Sequence, residues 1–229
     1  MVICPALRPR FLALLSLCLS AALICGCNGP TIGERKDAEL TLSGKVLIIP
    51  LRDATQYYFD SEEGILIADA AINSLVFGSG KLSAVDYKKS RGPIRGTVLE
   101  TGLTNQQWAA IGRDAGADYM VYGTIGSLSW RDPDDPVIPR CNFNVTYSVF
   151  DVAAADVIYT NTVAGTYPYM RYGAKGMSVF DMGAEGLRTR ALAYIGQIIA
   201  RTFYPYETND LEQNSLQRAA RKSETTKRR

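Results

Sequence analysis

The reactive side chains of this 229-residue chain are five cysteines, a short acidic run and a glycine-flanked lysine, and there is no histidine. Without an imidazole there can be no Ser-His-Asp triad, no His-based zinc site and no imidazole general base, the commonest catalytic solutions at neutral pH. Gly78-Ser79-Gly80-Lys81 has part of a phosphate-cradling loop, but that pattern needs Gly at position 75 and Ser or Thr at 82. Leu75 and Leu82 stand there, and helix termination accounts for the glycines. Asp132, Asp134 and Asp135 lack the Gly turn and distal Glu with which an EF-hand gathers about six to eight oxygens around calcium, so RDPDDP reads as a solvated turn. Asn144-Val145-Thr146 spells a glycosylation sequon, but its mid-strand position makes it a coincidence of alternation. No nucleophile, base and orienting group meet at recognisable spacing. The inventory therefore points to a binding or structural protein rather than an enzyme, with no cofactor and no metal.

Arg8 and Arg10 precede an apolar run at residues 11–24, FLALLSLCLSAALI, and small residues then lead to Gly26 and Cys27. A basic start, a short apolar stretch and a small-residue exit make a secretory signal peptide. The run has 14 residues, fewer than the roughly 18 a membrane-spanning helix needs. Ile24-Cys25-Gly26-Cys27 resembles the bacterial lipobox, in which the closing Cys is diacylated, so Cys27 is the expected lipidation site. Ordinary cleavage after Ala22, with Ser20 and Ala22 as the small pair, is the alternative. Asn28 in place of Asp points, by resemblance to proteobacterial sorting, to the outer membrane. Cys4, Cys18 and Cys25 leave with the signal and lipid consumes Cys27. Cys141 then has no internal disulfide partner, and its apolar surroundings at a strand start suggest a buried, inert thiol.

These segments frame one domain. Residues 1–26 are the signal, 27–43 the lipidated Cys with a polar, aperiodic tether, 44–206 a folded periplasmic domain, and 207–229 a polar, basic, disordered tail. Residues 27–206 hold 17 basic and 19 acidic side chains. That near-neutral balance gives nucleic acid no electrostatic foothold.

Within the domain, KVLIIPL at residues 45–51 is short and nearly all apolar, as in a strand buried on both faces. Asp60-Ser61-Glu62-Glu63, a capping side chain and two acids, then starts a helix whose apolar face is Ile65, Ala68, Ile72, Leu75 and Val76, and Gly78-Ser79-Gly80 stops it. Residues 82–87 make a second strand. Thr104 and Gln107 form a capping box for a helix with Trp108 and Ile111 on its apolar side, ended by Gly116. Three strands follow, at residues 118–130, 141–150 and 156–165. The middle one alternates Phe143, Val145, Tyr147 and Val149 with Asn142, Asn144, Thr146 and Ser148, the period of a strand wet on one side. Leu187, Ala191, Ile195, Ile198 and Phe203 trace a closing helix. The expected fold is α/β (α+β), a mixed sheet of about five strands in the order β-α-β-α-β-β-β-α with helices packed on it.

Two aromatic groups stand out as candidate partner contacts: Tyr57, Tyr58 and Phe59 after the first strand, and Tyr167, Tyr169, Arg171 and Tyr172 after the last. Core packing is the competing account of either group.

Gly116-Ala117-Asp118-Tyr119, continuing through Gly123 to Gly126, resembles the "G-A-D-Y" strand of periplasmic lipoprotein domains in the curli secretion channel superfamily. That group includes lipoprotein activators of penicillin-binding proteins, a Pel-type polysaccharide export lipoprotein and the amino-terminal domain of the Tol-system propeller protein. Residues 145–151 followed by Val157-Ile158 look like the group's hairpin, although Ala154 and Ala155 stand where Thr-Gly is usual. The resemblance covers about residues 45–205. It implies a non-catalytic, outer-membrane-anchored lipoprotein on the periplasmic face, acting as a protein-binding accessory factor in envelope biogenesis or export. The implied partners are an envelope protein, the membrane through the lipid, and further copies of the chain in a ring. Activation of a peptidoglycan synthase and a pore-forming secretion subunit are the alternatives. Against a pore, RDPDDPVIPR has neither the length nor the alternation of a membrane-spanning hairpin.

Overall fold

The computed structural model describes residues 34–54, 61–88, 103–131, 139–168 and 183–208. They lie in one compact unit of the chain, residues 34–229. Three helices and a mixed sheet make an α+β fold. The strands are β1 Glu34–Lys36, β2 Gly44–Ile48, β3 Arg52–Asp53, β4 Leu82–Val85, β5 Tyr119–Arg131, β6 Pro139–Asp151, β7 Asp156–Tyr167 and β8 Tyr206–Thr208. The helices are α1 Glu62–Gly78, α2 Asn105–Ala115 and α3 Gly183–Ala200, with a 3-10 turn at Arg201–Phe203.

The main sheet runs β4-β2-β5-β6-β7, and β3 pairs with β5 beyond the end of β2. β2 is parallel to both β4 and β5, while β5, β6 and β7 form an antiparallel meander. Val46 and Ile48 of β2 enter one core and Leu47 and Ile49 the other. A strand covered on both faces reads as a continuous apolar run, which is why KVLIIPL shows no alternation. α1 and α3 pack on one face together with Cys141, Phe143, Val145, Tyr147 and Val149 of β6. α2 packs on the other face, bringing Ala109 and Ile111 to Met120, Phe150 and Val152.

The helix ends follow their caps. Ser61 Oγ accepts from the Gly64 N–H at 3.0 Å, with Glu62 and Glu63 in the first turn. Thr104 and Gln107 close the capping box, and Gly116, at φ 69°, ends α2 in the left-handed region. The expected turn at residues 153–155 is held by Asp151, whose Oδ1 accepts from the N–H groups of Ala153 and Ala154 at 2.9 Å.

Three sequence expectations need correction. The buried face of α1 is Gly64, Ile67, Ala68, Ala71 and Leu75; Ile65 and Ile72 are only partly buried and Val76 is 56% exposed. α3 lies along α1 so closely that a Cβ at Gly196 would sit 2.6 Å from the Ile67 carbonyl oxygen, which rotates the inward face toward Ile67 and Ala71. The polar segment expected as a tether enters the fold at Glu34. β1 pairs antiparallel with β8, the Leu40 N–H donates to the Thr202 carbonyl at 2.9 Å, and Leu40 and Leu42 pack on the core. At the other end β8 carries the domain past residue 206 to Thr208, which is buried. Two short strands that pair with each other across some 170 residues leave no local periodicity to read.

The register of β6 gives a direct test. Val145 is fully buried, whereas Thr146 projects from the opposite face and bonds Thr162. Val145→Asp should cost several kcal/mol in a domain with only ~5–15 kcal/mol to lose and should abolish cooperative unfolding. Thr146→Asp should keep most of the melting temperature. Equal losses in a thermal melt would overturn the register.

Candidate interaction surface

β7 ends the sheet, and where its Asn161–Ala164 stretch meets the end of α3 the surface opens into a cavity of about 260 Å³. Four further segments join β7 in building it. Glu39 comes from the β1–β2 connection and Tyr147 from β6. Ile198, Arg201 and Thr202 come from α3 and its 3-10 extension, and Tyr206 from β8. At its floor the Tyr147 hydroxyl pairs with that of Thr202 at 2.6 Å, and Asn161 Nδ2 donates to the same phenol at 3.5 Å. Beside the mouth, Tyr159 donates its hydroxyl to the Glu39 carboxylate. The Arg201 guanidinium lies 4.8 Å from the centre of the Tyr206 ring, within cation–π range.

Both phenols are held protonated. Burial is the main cause of the upward shift of Tyr147, partly offset by its hydrogen bonds to Thr202 and Asn161. Burial likewise leads for Tyr159, reinforced by its bond to Glu39. The cavity thus offers neutral hydroxyls, an amide, one carboxylate and one guanidinium around an apolar lining. It can bind polar groups by hydrogen bonding.

The opposite face of the same strands is a ladder of hydroxyls and amides. Thr146 pairs with Thr162, Ser148 with Thr160 and Asn142 with Thr166, each at 2.9 Å. At its inner end Trp108 of α2 stacks on Tyr122 of β5, centroids 4.5 Å apart and planes within 9°. Cross-strand pairs of this kind stabilise a sheet by roughly 0.2–1 kcal/mol each.

Of the candidate lipidation and partner-contact residues, Tyr167 is the one described. It is half-buried, packs against the core and lies 5.3 Å from the Tyr194 ring. Cys27, Tyr57, Tyr58, Phe59, Tyr169, Arg171 and Tyr172 lie outside the described residues, as do Asp132, Asp134 and Asp135. No group of three or more His, Cys, Asp or Glu side chains among the described residues is placed to hold a metal ion. No described helix is long and apolar enough to cross a membrane. Sequence reasoning missed the cavity because Glu39 fell in the supposed tether and Tyr206 at the domain boundary. Asn161 stood in the pattern of β7 without a signal that set it apart from its neighbours.

No family model matches the chain, and no curated protein does. Among solved structures it is similar to the PelC dodecamer from Paraburkholderia phytofirmans, at 15% identity and a TM-score of 0.42, covering 76% of this chain and 99% of that one. It is also similar to the LpoB C-terminal domain from Salmonella enterica, at 16% and 0.36, covering 55% and 84%. A third is lipoprotein GNA1162 from Neisseria meningitidis, at 11% and 0.38, covering 69% and 98%.

Cys141 allows a check on the core. The thiol is fully buried and burial pushes its pKa up to about 12. A thiol reagent at pH 8 should leave the folded chain unlabelled at this position and react on denaturation. An unfolded thiol ionises near pH 9, whereas the folded one stays protonated to about 12. The unfolded state therefore binds fewer protons in that window, and denaturation midpoints should fall as pH rises through it. Tyr147 and Tyr159 act in the same sense.

Proposed function

We propose that this chain is a non-catalytic lipoprotein of the cell envelope, anchored through Cys27 to the periplasmic face of the outer membrane, where it binds a protein partner in envelope biogenesis or export. The observation that carries this reading is the short distance from anchor to fold. The lipobox-like Ile24-Cys25-Gly26-Cys27 is followed by only six residues, 28–33, before β1 begins at Glu34. Six residues extend at most ~20 Å. A domain so leashed works within reach of its own membrane. A synthase activator that must cross the cell-wall layer to an inner-membrane enzyme needs several times that length, so the membrane-proximal adaptor is the better supported of the two.

The chemistry of the β7 cavity supports recognition over catalysis, since Tyr147 and the neighbouring Tyr159 are held protonated and its charged groups are few. The partner contacts in this reading are the aromatic groups Tyr57, Tyr58 and Phe59, and Tyr167, Tyr169, Arg171 and Tyr172, side chains of the kinds that dominate interface energetics.

Cys27→Ser should abolish palmitate labelling and release the chain from the membrane fraction. Retained label would sink the anchor assignment, and a mature amino terminus at Leu23 would favour cleavage after Ala22. In-cell cross-linking of the parent chain should recover an outer-membrane protein. A Tyr57→Ala, Tyr58→Ala, Phe59→Ala variant should melt normally and lose that cross-link, interface aromatics typically contributing about 2 kcal/mol or more each. Recovery of an inner-membrane peptidoglycan synthase by the parent would make the activator reading the better one.

A further inference from the structure

The two ends of the main sheet differ. β4, at one end, is four residues long, while β7, at the other, is twelve. Among the described residues no strand pairs with the outer side of β7. A free edge presents rows of backbone N–H and C=O groups that recruit another strand, and proteins usually blunt such edges with charge, proline or brevity. Between Val157 and Tyr167 β7 has no charged residue and no proline. Its accessible part is the first two-thirds: Val157, Ile158, Thr160 and Thr162 are exposed, whereas Ala164 and Gly165 are buried. A bulge at Ile158, where Val149 faces Tyr159 but Phe150 faces Val157, is the one device that interrupts it.

We propose that two copies of this chain pair their β7 strands antiparallel across this edge, about a two-fold axis through Thr160. Directly opposed residues of a continuous antiparallel sheet share a face, so two identical strands related by a two-fold must set one residue against its own copy. Thr160 is at the middle of the accessible run. Centring there sets Tyr159 against Asn161 of the second copy and, with no charged residue from Val157 to Tyr167, opposes no like charges within the paired strands. It also sets Thr160 against Thr160 of the second copy. That prolongs the existing Ser148–Thr160 rung and repeats the Thr146–Thr162 pairing already made between β6 and β7. The occupant that fits is therefore another neutral, β-branched strand, and β7 itself is one. Such an interface is isologous and closes after two copies.

The test uses the full chain in detergent. Light scattering of the protein corrected for micelle mass should give two chains. Thr160→Cys should form a disulfide-linked dimer under mild oxidation, since opposed Cα atoms lie about 4.5–5.5 Å apart, within disulfide reach. Thr166→Cys, six residues from the axis, should not. Thr160→Lys sets two ammonium groups face to face and should weaken self-association at least tenfold with the melting temperature kept. Should that variant fail to fold, the Thr160→Cys disulfide decides alone. A single-chain mass, a dimer cross-linked through Thr166→Cys but not Thr160→Cys, or a dimer indifferent to a folded Thr160→Lys would overturn the proposal. So would a β7 edge that stays free until an envelope extract is added. A monomeric variant that still cross-links to its envelope partner leaves the accessory reading standing and overturns nothing but a dependence of one on the other.

Discussion

Asp118 grips the backbone of Lys45 twice: its N–H donates to the Lys45 carbonyl at 2.8 Å and its Oδ2 accepts from the Lys45 N–H at 2.8 Å. Its own carbonyl accepts from the Val152 N–H at 3.0 Å. One residue thus fixes the start of β5 against both β2 and the end of β6. The side chain takes the space a Cβ at Gly44 would occupy, 2.4 Å from Oδ2, and Gly44 itself sits at φ 124°, so only glycine serves there. Register matters because side chains alternate faces. A one-residue slip of β5 would carry Val121 and Ile125 out of the core under α1 and α3 and put Met120 in their place.

With that register set, the packing follows. The meander turns Cys141, Phe143, Val145, Tyr147 and Val149 toward the helices, and α3 can reach them only by lying close on α1. Gly196 makes that approach possible, since an added Cβ would meet the backbone of α1 at Ile67 and Ala71. On β5, Gly123 leaves room for the main chain opposite, where a Cβ would be 2.2 Å from the Thr146 carbonyl oxygen and 3.0 Å from the Tyr147 Cβ. Tyr147, set in this way, buries its ring in the core and extends its hydroxyl to Thr202. The floor of the cavity is therefore part of the core, and the cavity's shape is tied to the stability of the sheet.

The two faces of the meander are chemically unlike. One is sealed by α1 and α3. On the other, α2 covers only the region of Met120, Phe150 and Val152, and the rest is a ladder of Thr, Ser and Asn. Hydroxyl pairs satisfy one another along the ladder and so tolerate both water and a neighbouring strand.

Where structure depends on neighbours close in sequence, the residues were enough to read it. The alternation of residues 141–150, the capping box of Thr104 and Gln107, the left-handed Gly116 and the stop after Gly78 all rest on contacts within a few residues, and each stands in the fold. The doubly buried β2 was legible too, because covering both faces removes alternation altogether. The resemblance at residues 116–126 has a physical content in the roles of Gly116, Asp118 and Gly123, which cap a helix, lock a register and admit a close strand crossing. What only the tertiary structure decided lies at long range. β1 and β8 are three-residue strands whose pairing joins the two ends of the domain, so a tether-like sequence turned out to hold Glu39 against Tyr159. The inward face of α1 was set by α3, more than a hundred residues away, and so could not be read from the period of α1 itself. The cavity combines four segments that are polar or unremarkable one by one, and only their convergence at the β7 edge gives them a joint chemistry.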